Sequence, residues 1–107
     1  QVPGAVLLDA PLTKQGQPTW LLRELGPDFT LLVFGPAPAW AHGLPGVKVL
    51  QIGIDVIDHQ ALAAQRLDAL PRTVYLVRPD QHVCARWRTP TEVAVRSALA
   101  RATAAAV

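Results

Sequence analysis

The apolar positions of this chain fall in short runs separated by turn-forming residues. Phe29-Thr30-Leu31-Leu32-Val33-Phe34 lies between Pro27-Asp28 and Gly35-Pro36. A short, β-rich apolar run bounded by such punctuation reads as a strand buried on both faces. Val47 to Ile54 is a second run of this kind, and Thr73-Val74-Tyr75-Leu76-Val77 is a third. The third is followed by Arg78-Pro79-Asp80-Gln81 and then an alternating stretch. Val83, Ala85 and Trp87 fall on one side of it, and His82, Cys84, Arg86 and Arg88 on the other. Alternation after a Pro-Asp turn predicts a β-hairpin. Leu31, Val33, Val49, Ile52, Val74 and Leu76 are the expected core of the sheet.

Between these runs the spacing changes to a helical one. Thr19 is placed to cap a short helix over Trp20–Leu25, ended by Gly26-Pro27. Pro36 to Leu44 supports only a short, poor helix. Asp58 is a good N-cap for a helix over His59–Leu70, with Leu62, Ala63, Leu67 and Leu70 near a 3.6 period and Pro71 ending it. The Leu70-Pro71 bond is expected to be trans, since only about 5–6% of X-Pro bonds in folded proteins are cis. Thr89-Pro90-Thr91-Glu92 reads as a capping box with Pro at the first helical position. Val95, Ala98, Leu99 and Ala102 form the stripe of that last helix, Glu92 and Arg96 an i,i+4 pair, and the end from Thr103 to Val107 is expected to fray. Residues 1–18 hold three prolines and two glycines and read as an irregular lead-in. Residues 19–107 read as a single domain.

The predicted order is β-α-β-α-β-β-α. Right-handed crossovers put the second strand beside the first and the hairpin on the first strand's other side. That α/β arrangement, a four-stranded mixed sheet flanked by helices, is thioredoxin-like. In such folds a reactive dithiol sits between the first strand and the first helix, where a helix N-terminus stabilises a thiolate. Here that position is Gly35-Pro36-Ala37-Pro38-Ala39-Trp40, without Cys, Ser or Thr. Thiol–disulfide chemistry is impossible there.

Composition narrows the function further. A net charge of +2 with scattered cations gives no nucleic-acid footprint. No apolar run approaches the ~20 residues of a membrane span. A cytoplasmic setting is expected. The single cysteine, Cys84, excludes an internal disulfide and a cysteine zinc cage. Arg86, two residues on, could lower its pKa; a half-buried strand cysteine is the plainer expectation. His42, His59 and His82 lack metal-ligand spacing, and Asp58-His59 lacks a nucleophile, since Ser97 is alone in the last helix. The glycines form no phosphate-binding pattern. Catalytic, cofactor and metal residues are therefore expected to be absent from this chain. Trp40 on its Pro/Ala-rich loop and the cations Arg78, Arg86 and Arg88 are candidate interface residues, while Trp87 is expected in the core. The chain contains no methionine and begins at Gln1, as expected of part of a longer protein.

Two segments resemble a known family. Trp20-Leu21-Leu22-Arg23-Glu24-Leu25-Gly26-Pro27-Asp28-Phe29-Thr30-Leu31-Leu32-Val33-Phe34-Gly35 is similar to an L-G-x-x-F-T-L-L stretch in the C-terminal domain of FAD-dependent aromatic hydroxylases, the phenol hydroxylase and 3-(3-hydroxyphenyl)propionate hydroxylase group. Val77-Arg78-Pro79-Asp80-Gln81-His82-Val83-Cys84-Ala85-Arg86-Trp87-Arg88 resembles their V-R-P-D-G-x-V-A-W-R ending. Pro3-Gly4 and Asp9-Ala10-Pro11-Leu12 fit the segment leading into that domain. Two departures stand out. Gln81 occupies the place of the family's glycine, and Cys84-Ala85-Arg86-Trp87 carries one residue or more beyond the family's Val-Ala-Trp, which predicts a bulge or a shifted register.

The resemblance implies a parent that binds FAD, takes a hydride from NAD(P)H and hydroxylates a phenolic ring. The FAD fingerprint and substrate pocket would lie in N-terminal domains, with this domain packing on them and supporting a homodimer contact. Two other expectations stand beside it: a free-standing, redox-inactive thioredoxin-like interaction domain, and a one-cysteine redox protein using Cys84.

Overall fold

The computed structural model describes residues 3–105. Its main sheet has the order β4-β3-β5-β6, formed by β3 (Phe29–Phe34), β4 (Val47–Ile52), β5 (Val74–Val77) and β6 (Val83–Trp87). β3 pairs parallel with β4 and antiparallel with β5, and β5 pairs antiparallel with β6. This is the mixed sheet expected from the element order. The Leu70-Pro71 bond is trans, as expected.

Because β3 and β5 are central, their alternate residues fill two separate layers. Leu31, Val33, Val74 and Leu76 pack with Ala41, Leu44, Val95 and Ala98 beneath the last helix, α3 (Glu92–Ala105). Leu32, Phe34, Tyr75 and Val77 face the other way, against Leu7, Leu12, Leu21, Ala63 and Leu67. Of the six expected core residues, five are buried; Val49 is half-buried against the α3 layer.

The second layer corrects the lead-in. A two-stranded hairpin, β1 (Pro11–Lys14) and β2 (Gln17–Trp20), crosses the expected boundary at residue 18 and is turned at Gln15-Gly16 with φ of 51° and 78°. Left-handed values at both turn residues suit the strands' twist. Leu7, Ala10 and Leu12 are buried under this segment, so it supplies core as well as cover.

Four helical expectations also shift. The helix α1 is a single turn, Leu21–Glu24. Thr19 belongs to β2 and does not cap it; Asp9 Oδ1 accepts the Leu22 N–H at 3.0 Å instead. Residues 36–44 give only a 3-10 turn, Ala39–Gly43, because Pro36 and Pro38 cannot donate. The helix expected over 59–70 is reduced to a 3-10 turn, His59–Ala61, and α2 (Leu62–Arg66). Gln60 and Ala61 are left-handed, which breaks the helix, and Asp58 reaches past the kink to accept the N–H groups of Ala63 and Ala64 at 2.8 and 3.0 Å. At α3 the cap is Thr91, whose Oγ1 accepts the Ala94 N–H at 3.2 Å, and Pro90 precedes the helix. The Glu92–Arg96 pair forms at 2.8 Å. α3 continues to Ala105, and the rest of the expected frayed end lies outside the described residues.

The β4 strand stops at Ile52, two residues short of the expected Ile54. Gly53 turns the chain with φ of 100°.

Candidate functional site

The position where this fold would carry a dithiol is the turn after β3. Gly35 leaves the strand with φ of 123°, and Pro36-Ala37-Pro38 leads into the 3-10 turn. The two prolines have no N–H, and the Ala37 N–H is taken by Gln51 Oε1 at 2.9 Å. Of the first three residues of this turn none keeps a free backbone donor. Across from this turn Arg72 sits at φ of 76° and donates its N–H to the Phe34 carbonyl at 2.9 Å. Between them lies an open cleft of about 300 Å³, lined by Val33, Pro36, Ala37, Pro38, Arg72 and Val74, with Thr89 and Pro90 on one side. The cleft lining has one cation, Arg72, and one hydroxyl, Thr89, and no thiol or acid. It carries no glycine-rich phosphate-binding pattern, and no residue of it is assigned to FAD.

Cys84 is half-buried. The register slips between Leu76 and Val77, with Leu76 opposite Ala85 and Val77 opposite Val83, so Cys84 is the extra residue of a bulge. The bulge expected from the sequence is there, and it overturns the simple alternation. Cys84 joins Ala85 and Trp87 on the α3 layer, and Val83 goes to the opposite layer. Burial pushes the Cys84 thiol upward, Arg78 counteracts this and Asp80 adds to it. Arg86 is not the neighbour that matters to the thiol.

The candidate interface residues are dispersed. Trp40 is half-buried against the α3 layer, as is Trp87. Arg78 pairs with Asp80 at 2.5 Å at the hairpin tip. Arg86 and Arg88, at the far end of β6, both reach Asp68, and the Arg86 guanidinium carbon lies 5.5 Å from the Tyr75 ring centre. Arg78 is thus separated from Arg86 and Arg88, and all three are engaged within the chain. His42 and His59 are exposed, and His82 Nδ1 lies 3.2 Å from Asp80. Among the described residues no three His, Cys, Asp or Glu side chains converge on a metal position. No described helix is long and apolar enough to cross a membrane.

The exposed tryptophan is Trp20, at 45%. The strand pairing exposes it, since Trp20 faces outward opposite Pro11 while Thr19 faces in. A β2 strand in the sequence would have signalled this, but Pro18 hides one.

The sequence matches the family described as aromatic-ring hydroxylase, C-terminal, over residues 1–106. The chain belongs to that family. It is the C-terminal domain of aromatic-ring, FAD-dependent hydroxylases, as the two resembling segments imply. No curated protein matches it.

Among solved structures it is similar to a ternary complex of aklavinone-11 hydroxylase with FAD and aklavinone, with TM-score 0.74, 19% identity and 88% of this chain covered. The flavin-dependent monooxygenase PieE, in complex with FAD and substrate, superposes with TM-score 0.66 at 31% identity over 81% of this chain. The domain spans only 20% and 17% of those two chains. The peroxidoxin BcpB from Mycobacterium tuberculosis superposes with TM-score 0.63 at 16% identity, covering 92% of this chain and 94% of that one. The last match supports the thioredoxin-like fold.

Proposed function

We propose that this domain is the non-catalytic C-terminal module of an FAD-dependent, NAD(P)H-using monooxygenase that hydroxylates a phenolic ring. Its own role is structural: it packs on the FAD- and substrate-binding domains of the parent chain and supports a dimer contact. A cytoplasmic flavoprotein is the setting this implies. The observation that carries the non-catalytic reading is the turn after β3. Gly35-Pro36-Ala37-Pro38-Ala39-Trp40 supplies no Cys, Ser or Thr side chain where the fold would do chemistry. The parent's flavin, hydride donor and substrate would be held by residues outside this chain.

The test is expression of the whole open reading frame containing this domain. The product should carry FAD, and it should oxidise NAD(P)H in a phenol-dependent manner. Cys84→Ser and Arg72→Ala should leave kcat unchanged. A full-length product without flavin overturns the parent. A loss of kcat in either variant, with flavin content and folding retained, overturns the non-catalytic role.

A further inference from the structure

We propose that the outward face of the β1–β2 hairpin is the surface on which this domain seats against the FAD-binding body of its own chain. The proposal rests on the parent reading above and names the surface through which it acts. In the incoming segment Leu7, Ala10 and Leu12 point into the core. Val6 and Leu8 are exposed at 54% and 49%. On the hairpin Pro11 lies opposite Trp20 and Thr13 opposite Pro18, on the side away from buried Leu12 and Thr19. Ile57 extends the row by pairing with Thr13, and is 42% exposed. Beside them is a depression of about 270 Å³ lined by Pro11, Leu12, Pro18 and Leu62, among others.

Asp9 falls within this row, between Leu8 and Pro11, and its carboxylate is taken up within the chain by the N–H groups of Ala10 and Leu22. Lys14, at the hairpin tip, is drawn away to Glu24 at 3.0 Å. Exposed Trp, Pro, Ile and Leu side chains in this number have the composition of an interface centre rather than of a solvated face. Trp20 is a large, stiff anchor of the kind that carries binding energy.

The occupant follows from two further observations. This domain covers 20% and 17% of the flavin-dependent chains it matches, so in them most of the chain lies elsewhere. The apolar face is also built by the segment that leads into the domain. A body joined upstream would therefore be held beside the face by the chain itself, at high effective concentration. Docking is by the face and not by strand addition. The Thr13 N–H and C=O bond Ile57, so the opposing Pro18 turns its nitrogen to the open edge of β2, and that nitrogen has no hydrogen to give.

Hydroxyl-radical footprinting of the full-length protein, native against urea-unfolded, tests this. In the native protein Trp20 and Ile57 should lose labelling to the level of buried Leu21, while Val93, on α3 and 77% exposed, keeps it. Trp20→Ser with Ile57→Ser should restore labelling at Leu8 without loss of the protection at Leu31. A flavin-bearing full-length protein in which Trp20 labels as freely as Val93 overturns the surface assignment and leaves the parent reading standing. A frame that encodes no flavin-binding body sinks both. Protection of Trp20 that vanishes on dilution assigns the face to a second copy and overturns the proposal.

Discussion

Cys84 and Arg86 stand two residues apart on β6 and lie on opposite faces of the sheet. Cys84 packs in the α3 layer, while Arg86 spans the Tyr75 ring and reaches Asp68 on the other side. The bulge at Cys84 separates them, so the guanidinium cannot activate the thiol.

Cys84 should therefore behave as an inert strand cysteine. Burial raises its pKa, so its thiolate fraction near neutrality is below that of an exposed cysteine. Its reaction with an aromatic disulfide reagent at pH 7.5 should be slower than that of a free cysteine and should rise steeply only at alkaline pH. Insulin reduction should not exceed the buffer blank. Rapid modification at pH 7.5 would contradict this.

Gln81 is held at φ of 68° where the family usually has glycine. The turn Arg78-Pro79-Asp80 requires it, with the Gln81 N–H bonded to the Arg78 carbonyl at 2.8 Å. A left-handed residue with a Cβ costs roughly 1–2 kcal/mol. Gln81→Gly and Gln81→Ala both remove the 3.3 Å contact of Nε2 with the Leu22 carbonyl, so their difference isolates the backbone. The glycine variant should be the more stable by about 1 kcal/mol in urea unfolding. Equal midpoints would show that the turn relaxes.

Glu24 couples the hairpin to the acid limb of stability. Burial would raise its carboxyl, but hydrogen bonds from Lys14 and Thr19 and the charges of Lys14 and Lys48 outweigh this and hold it below 4.5. A carboxyl depressed in the folded state stabilises above its unfolded pKa, and this stability is lost as pH falls through the folded pKa. Unfolding midpoints should therefore fall as pH drops below about 4.5, and Glu24→Gln should flatten that decline. An unchanged acid profile in the variant would refute the coupling.

Thr30 and Leu31 are neighbours on β3 with opposite expectations. Leu31 is fully buried in the α3 layer, and Leu31→Ala should cost about 2–5 kcal/mol. Thr30 is 1% exposed, and its hydroxyl has no partner among the described residues. Thr30→Val should stabilise by about 1 kcal/mol, by removing a polar group that is desolvated without return. A gain for Leu31→Ala or a loss above about 1 kcal/mol for Thr30→Val would reverse the picture.

The main sheet was legible because β3, β4 and β5 are largely apolar runs bounded by proline or glycine and β6 follows a Pro-Asp turn with an alternating pattern. What stayed hidden has specific causes. β1 and β2 each carry a proline, Pro11 and Pro18, which argues against a strand in sequence though both fit this two-stranded ribbon. The helix over 59–70 broke at Gln60 and Ala61, residue types that give no warning of left-handed backbone. The extra residue at Cys84 announced a bulge, but only the register shows which side chains it turns over. Among the tryptophans, Trp40 on its irregular loop suggested exposure, and Trp20 has it. The absence of a thiol after β3 was readable at once, because chemistry that needs sulfur cannot be supplied by packing.

The incoming segment is fastened to the sheet's margin. The Gly4 N–H bonds the Val83 carbonyl at 2.7 Å, the Val83 N–H bonds Ala5, and the Leu7 N–H bonds Gln81. A load applied to the chain at Gly4 would thus reach the rim of the β-structure through a short zipper of amides, and would be borne by β6 before it reached the core.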